Sequence, residues 1–303
     1  MGGNQLFPPR HATSEDARLA LLHILHRAPV SFGLQSSRWS LARLLQVCDW
    51  LSLSTGGGLS QLLKRLEISY KRARAYIHSP DRDYEQKMSL IELAGLRAQY
   101  DPLRYVFLYL DEFTFFRQPS LACDYAAQGH EQPLAYLSYH SNTHSRIVAA
   151  LNALTGQVNY RQRNILTVDQ LSAFYADLRR IYPEAEVIYA VQDNWPVHFH
   201  ADVLARLAPQ TWPYPFNVPA NWPATPSKKA IQADLPIQIL CLPTYASWCN
   251  PIEKLWRWLK QDLLHLHRLS DVWQTLTKRV AEFLDRFASG STDLLHYVGL
   301  LPD

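Results

Sequence analysis

The sequence lacks the features that mark membrane, secreted or metal-ribbon proteins. No apolar run approaches the ~20 residues that a membrane helix needs, and the first residues lack the charged-then-apolar order of a signal peptide. The four cysteines are scattered and include no Cys-x-x-Cys pair: Cys48, Cys123, Cys241 and Cys249. This argues against a disulfide framework and favours thiols in a reducing compartment. We therefore predict a cytoplasmic protein with no membrane partner.

The chain also has little net charge. Its formal charge is only +3 over 303 residues, so any surface for nucleic acid must be local. An apolar content of 48% and an aromatic content of 12% exclude a mainly disordered chain. The length allows one large domain and one small one.

Three short helices are predicted in the N-terminal part. The first runs from Ser14 to about Arg27, the second begins at Ser37 or Ser40, and the third covers Leu59 to Leu66 with leucines at helical spacing. The triplet Gly56-Gly57-Gly58 precedes the third helix. Because glycine offers no capping oxygen and disfavours helix, the start of this helix is expected to fray.

Basic residues concentrate on and after the third helix. From Ser60 to His78 five Lys or Arg stand against one acid, a local charge of +4. The residues predicted to contact DNA are Ser60, Gln61, Lys64, Arg65, Lys71, Arg72 and Arg74. This pattern favours a helix-turn-helix DNA-binding domain over residues 1–78, although a small helical cap with solvated charges has the same composition. Residues 79–102 are predicted to form a linker helix.

Three apolar strands in the rest of the chain each lead to a carboxylate. Tyr105–Glu112 ends in two acids, Glu186–Asn194 has Asp193 just before its last residue, and Ile237–Leu242 leads into Asn250-Pro251-Ile252-Glu253. Runs of this kind are typical of strands buried on both faces. Acids gathered at their ends need a cation. Glu112 is expected to point to the opposite face from Asp111.

The order of the elements predicts the fold class of residues 103–303. Strands at Pro133–His140 and Arg146–Leu154 precede an alternation of helices and strands. This order predicts an α/β (α+β) fold, a ribonuclease-H-like mixed sheet flanked by helices, preceded by a small all-α helix-turn-helix domain. The Pro- and Trp-rich segment at about 209–236 is predicted to be an insertion over the active face.

Several sequence blocks resemble those of DDE transposases, most closely the bacterial insertion-sequence branch of the mariner superfamily. The blocks are Leu110-Asp111-Glu112, Gln192-Asp193-Asn194 with His198, and Pro243-Thr244-Tyr245 leading to Asn250-Pro251-Ile252-Glu253-Lys254-Leu255-Trp256. Trp39–Leu44 and Leu63–Leu66 to Lys71-Arg72 resemble that branch's winged helix-turn-helix. The resemblance implies that Asp111, Asp193 and Glu253 form the catalytic and metal-binding triad.

The resemblance also implies a reaction, a cofactor and partners. Strand cleavage and strand transfer would use two Mg²⁺ ions, with Mn²⁺ as a substitute, held by the three acids. The partners would be double-stranded DNA, as terminal inverted repeats and as target, and a second copy in a homodimer on DNA. A bacterial, nucleoid-associated location follows. Further phosphate contacts are expected from Lys254, Arg257 and Lys260, which follow Glu253 at helical spacing.

Two departures from the family keep other functions open. Only the second of the family's two N-terminal helical units is matched, and the spacing from Asp193 to Glu253 is longer than usual because of the insertion. One alternative is a catalytically silent DNA-binding regulator derived from a transposase. The other is a ribonuclease-H-type nuclease that does not join strands.

Overall fold

The computed structural model describes residues 13–71, 79–127, 129 and 131–301. The chain divides into two units, Met1–Tyr76 and Ile77–Asp303. Arg72 and Arg74, which were predicted to contact DNA, lie outside the described residues. Among the described residues, no helix is long and apolar enough to cross a bilayer.

The first unit is a small helical domain. Its helices are α1 (Ser14–Leu25), α2 (Leu41–Val47) and α3 (Gly56–Arg65), with a 3₁₀ turn at Pro29–Phe32. Their apolar faces meet in one core, which contains Leu21, Leu44, Cys48, Leu51, Leu59, Leu62 and Leu66. Residues 13–71 contain no strand, so the described part of this unit is all-α, as predicted.

The predicted start of the third helix is wrong. α3 begins at Gly56 rather than Leu59, and Thr55 is its N-cap. The Thr55 hydroxyl accepts a hydrogen bond from the Gly58 amide at 3.2 Å. The glycines therefore form the first turn of a capped helix, and the missing oxygen is supplied by the residue just before them.

Replacing Gly57 by alanine should stabilise the first unit by about 0.5–1 kcal/mol, because alanine lowers the entropy cost of helix formation. A Cβ at Gly57 meets no atom within 4 Å, whereas one at Gly58 lies 3.2 Å from Thr55 Oγ1 and 3.3 Å from Leu53 Cδ2. Gly58→Ala is therefore the matched control and should gain less. Native-state hydrogen exchange of the α3 amides measures the stability of the helix in both variants. Equal protection in the two variants would contradict the cap geometry.

The second unit is built on a five-stranded mixed sheet. Its strands are β1 (Tyr105–Phe116), β2 (His144–Asn152), β3 (Val158–Arg163), β4 (Val187–Gln192) and β5 (Ile237–Cys241). They lie in the order β3-β2-β1-β4-β5. β1, β2 and β3 form an antiparallel meander, and β4 and β5 add in parallel to the other side of β1. The predicted mixed sheet flanked by helices is confirmed.

Helices cover both faces of the sheet. They are α4 (Tyr84–Tyr100), α5 (Val168–Ile181), α6 (Ala201–Leu204), α7 (Ile252–Leu259), α8 (Trp273–Asp285) and α9 (Thr292–Val298), and a π-helical turn at Lys260–Leu264 extends α7. α4 and α5 pack in one apolar core with Leu108 and Leu110 of β1. α7, α8 and α9 pack in a second core with Phe113 and Phe115. β1 is therefore buried on both faces, as its continuous apolar run predicted.

Two segments differ from the sequence predictions. Pro133–His140 is not a strand, and its residues Leu134, Leu137 and Tyr139 are largely exposed. The helix predicted as a linker, α4, packs on the sheet of the second unit.

The predicted insertion lies along β5 and α6. The Gln210 side chain bonds to the backbone of Ile237 and Ile239, and Phe216 stacks on Phe199 with centroids 4.5 Å apart. This segment protects the edge of β5 from further pairing.

Candidate active site

The parallel pairing of β1 with β4 brings two of the predicted acids to the same level. The last paired residues are Tyr109 and Val191, so Asp111 and Asp193 each stand two residues beyond that pair. β4 ends at Gln192, and Asp193 follows directly. β1 continues to Phe116. Asp111 therefore lies inside its strand, whereas the sequence predicted it at the strand end.

Consecutive acids of β1 face opposite sides of the sheet. Asp111 Oδ2 accepts a hydrogen bond of 2.8 Å from the indole Nε1 of Trp256 on α7. Glu112 Oε1 lies 3.4 Å from Nε2 of His198, on the other side. The prediction that Glu112 points away from Asp111 agrees with this alternation.

Asp111 is the most strongly perturbed carboxyl group of the site. Burial raises its pKa to about 7, and the negative charges of Glu112, Glu253 and Asp193 add to the rise, while the Trp256 hydrogen bond opposes it. Trp256 is itself fixed by stacking on Phe113, with ring centroids 5.0 Å apart. An acid held in this way is stable as an anion only when a cation lies beside it.

Glu253 reaches the same place from α7. It lies in the first turn of the helix. Burial and the charge of Asp193 raise its pKa, while Lys260 and Arg257 oppose the rise. The charges of Asp111, Asp193 and Glu253 therefore act on one another, and in this sense the three acids form one electrostatic cluster. Their catalytic and metal-binding roles remain predictions.

Asn250 connects the helix of Glu253 to the strand of Asp111. Its side chain is buried, and its Nδ2 donates to the Leu110 carbonyl at 3.0 Å. Asn250 precedes Pro251, the N-cap of α7, and the start of this helix has no side-chain capping hydrogen bond. Asn194 makes a similar bond of 2.8 Å to the Leu242 carbonyl, beyond the ends of β4 and β5.

Asn250→Ala should lower the free energy of unfolding by about 1–3 kcal/mol, because it leaves the Leu110 carbonyl buried without its partner. Asn194→Ala removes the same kind of bond from a half-buried residue and should cost less. Urea unfolding of both variants makes the comparison. An Asn250→Ala protein as stable as the wild type would show that the bond does not hold α7.

The basic residues predicted to contact DNA have different environments. Arg257 and Lys260 are exposed, and Lys260 Nζ lies 5.2 Å from the Phe113 ring centroid. Lys254 is engaged elsewhere, since its Nζ donates to the Val298 carbonyl at 2.7 Å. In the first unit, the exposed residues among those predicted are Ser60, Gln61, Lys64, Arg65 and Lys71.

Two histidines near Asp193 have separate roles, which the sequence did not reveal. His198 is buried and contacts both Glu112 and Asp193 through Nε2. His200 accepts a hydrogen bond from the Asp202 amide at the start of α6. The contact of His198 with Glu112 joins residues 86 positions apart, which a local pattern does not predict. The place of His198 in the Gln-Asp-Asn block was the only available signal.

Comparison with known proteins agrees with this geometry. A family model described as DDE superfamily endonuclease matches residues 106–276, more than half of the chain. The chain is also similar to the insertion element IS630 uncharacterized 39 kDa protein of Shigella sonnei. The two are 22% identical over 268 residues, which cover 88% of this chain and 69% of that protein.

Solved structures of Mos1 have the same fold. The Mos1 strand transfer complex matches with a TM-score of 0.59 and 14% identity, covering 99% of this chain and 77% of that one. The Mos1 mariner paired end complex with Mn matches with a TM-score of 0.59 and 15% identity, covering 99% and 78%. The family model, whose matched range includes all three predicted acids, shows that the chain belongs to the DDE superfamily endonucleases.

Proposed function

We propose that this protein is a transposase that binds the ends of a bacterial insertion element, cleaves DNA strands there and joins them to target DNA. The observation that carries the proposal is the cluster of Asp111, Asp193 and Glu253, in which burial and neighbouring charges raise the pKa of Asp111 to about 7. Family membership and the likeness to structures of transposon-end complexes support it.

The donor set fits hard divalent cations. Mg²⁺ binds to proteins through one or a few carboxylates together with water and substrate phosphates, and the repulsion among these acids would be relieved by such a charge. Asp111, Asp193 and Glu253 would hold two Mg²⁺ ions, or Mn²⁺ in their place. When bound, such ions neutralise the charge that develops on the attacking and leaving oxygens of a phosphodiester.

The surrounding residues position this cluster. The Trp256 indole donates a hydrogen bond to Asp111 Oδ2 and so fixes the orientation of the carboxylate. Asn250 anchors the start of the helix that carries Glu253. Arg257 and Lys260 are exposed cations that interact with the charge of Glu253, and in the proposed reaction they contact DNA phosphates.

The first unit supplies end recognition in this proposal. The exposed side of α3 carries Ser60, Gln61 and Lys64, and Gln61 is suited to bidentate contact with adenine. Residues after α3 contribute phosphate contacts. The protein would act as a homodimer on the DNA of the bacterial nucleoid.

Replacing Lys71, Arg72 and Arg74 together by alanine should flatten the salt dependence of DNA binding. Each lost phosphate contact lowers the slope of log K against log salt by about 0.9, so a decrease of about 2–3 is expected. The control replaces Lys228 and Lys229, an exposed pair in the second unit. An unchanged slope in the triple variant would show that these charges are only solvated.

The reaction is tested with the full-length chain, DNA carrying the terminal repeats of its element, a supercoiled target plasmid and Mg²⁺. Broken ends and joined products are expected with the true repeats, and neither is expected with scrambled repeats or with chelator. Binding without cleavage would favour the silent regulator. Cleavage of any DNA without joining would favour the nuclease.

A further inference from the structure

His198 lies at the centre of a buried polar cluster on the opposite side of β1 from Asp111. It is in the 3₁₀ turn Pro196–Phe199 after β4, and its side chain is 1% exposed. Its Nε2 lies 3.4 Å from Glu112 Oε1 and 3.7 Å from Asp193 Oδ1. Its Nδ1 lies 3.3 Å from the Tyr175 hydroxyl.

The hydrogen bonds of Tyr175 determine which ring nitrogen carries the proton. The Tyr175 hydroxyl donates its one proton to Gln192 Oε1 at 2.9 Å. Its oxygen can therefore only accept from His198, so the proton of the neutral imidazole is on Nδ1. In this neutral form, which metal binding requires, the lone pair of Nε2 points towards the oxygens of Glu112 and Asp193.

An imidazole lone pair and two carboxylates together form a set of metal ligands. The three ligand atoms lie within 4.8 Å of one another, and a tetrahedral ion with bonds of about 2.0–2.2 Å places its ligands roughly 3.3–3.6 Å apart. In other proteins, a metal-binding histidine is fixed by a hydrogen bond from its second ring nitrogen. The bond from Nδ1 to Tyr175 is of this kind. A nitrogen ligand favours Zn²⁺ and related transition metals over Mg²⁺.

We propose that Glu112, Asp193 and His198 bind a divalent transition-metal ion of the Zn²⁺ type. The site differs from the proposed catalytic cluster in Glu112 and His198 and shares Asp193 with it. Asp193 is 56% exposed, so water can complete the coordination on that side. The ion would hold Asp193 in place from the face of β1 opposite Asp111. The inference rests on the geometry around His198 and does not require the proposed reaction.

The test uses full-length protein freed of metal by a chelator and then titrated with Zn²⁺ in a calorimeter. The background variant Asp111→Asn/Glu253→Gln removes two acids of the catalytic cluster and should still bind one Zn²⁺ per chain. Adding His198→Asn should weaken this binding at least 100-fold. Asparagine retains a polar atom near the position of Nδ1 but has none at Nε2. Co²⁺ should give visible absorption bands in the background variant, and these should be lost with His198→Asn.

The matched control is His200→Asn, the same change two residues along the chain, which should leave Zn²⁺ binding unchanged. Equal Zn²⁺ affinity with and without His198→Asn would overturn the proposal, as would a background variant that binds no Zn²⁺. The second result would mean that a proton, not a metal, lies between the ring and the acids. If His198→Asn does not fold, Glu112→Gln decides in the same way.

The two proposals can fail separately. Cleavage of end DNA is measured in Mg²⁺ on wild-type protein, whereas Zn²⁺ binding is measured in the absence of DNA on a variant without Asp111 and Glu253. A wild-type protein that binds Zn²⁺ but does not cleave end DNA would support the proposed metal site and contradict the proposed transposase activity.

Discussion

Asp111→Asn is expected to lower the rate of end cleavage by at least about 1000-fold and to raise the melting temperature of the metal-free protein. The activity falls because the cluster loses the carboxylate that is most buried among its charges. The stability rises because the same carboxylate is costly to ionise where it lies. Opposite changes in activity and stability are typical of a residue retained for function.

The stability gain depends on pH in a defined direction. The pKa of Asp111 rises from 3.8 to about 7 on folding, so the folded protein keeps a proton that the unfolded chain releases. The wild type therefore loses stability as the pH rises from about 4 to 7, by up to roughly 4 kcal/mol. The asparagine variant escapes this loss, and its advantage should be larger at pH 8 than at pH 5.

Thermal melts at the two pH values, with and without Mg²⁺, measure this effect. Mg²⁺ should reduce the difference by stabilising the wild type. The control is Glu184→Gln, an exposed carboxyl group before the start of β4, and it should change neither cleavage nor the pH dependence. An Asp111→Asn protein that cleaves normally would remove Asp111 from the catalytic cluster.

Gly156→Ala is expected to destabilise the second unit by about 3 kcal/mol or more. Gly156 has φ +69°, and a Cβ there would lie 2.2 Å from the backbone oxygen of Ser291. The backbone of this turn cannot withdraw easily, because the Ser291 amide donates to the Thr155 carbonyl and the Val158 amide donates to the Phe287 carbonyl. The variant must therefore break contacts between the β2–β3 turn and the segment before α9.

Gly299→Ala separates the steric cost from the conformational one. Gly299 has a similar φ of +81°, but the nearest atom to its Cβ would be the flexible Nζ of Lys254 at 2.8 Å. This variant should lose only about 1–2 kcal/mol. Urea unfolding of the two proteins gives the difference. Equal losses would show that the contact with Ser291 is relieved by a small shift.

The gathering of the acids could be predicted because it depends on local signals. Short apolar runs predict buried strands, and an acid after such a run is carried to the carboxyl edge of a parallel sheet. The length of β1 could not be predicted in the same way. Its strand continues past two acids because Phe113 and Phe115 pack against Trp256 and Trp273, which lie far along the chain.

The errors have related physical causes. Pro133–His140 has residues suited to a strand, but a strand also needs a partner, and β2 pairs with β1 and β3. The start of α3 was placed too late because its first turn consists of three glycines, which disfavour helix, and its N-cap Thr55 lies before them. The roles of Asn250 and His198 were not predicted because Asn250 bonds to Leu110, 140 positions away, and His198 contacts Glu112, 86 positions away.

The alternation of Asp111 and Glu112 across β1 limits how the chain can change its length. One residue inserted or deleted between Tyr105 and Leu110 would exchange the two faces for the residues beyond it. Glu112 would then be placed beside Trp256 and Asp111 beside His198, unless a bulge absorbed the change. The coil at residues 121–127 has no such alternation to preserve and can accept additional residues. Relatives should therefore differ in length after β1 but rarely within it.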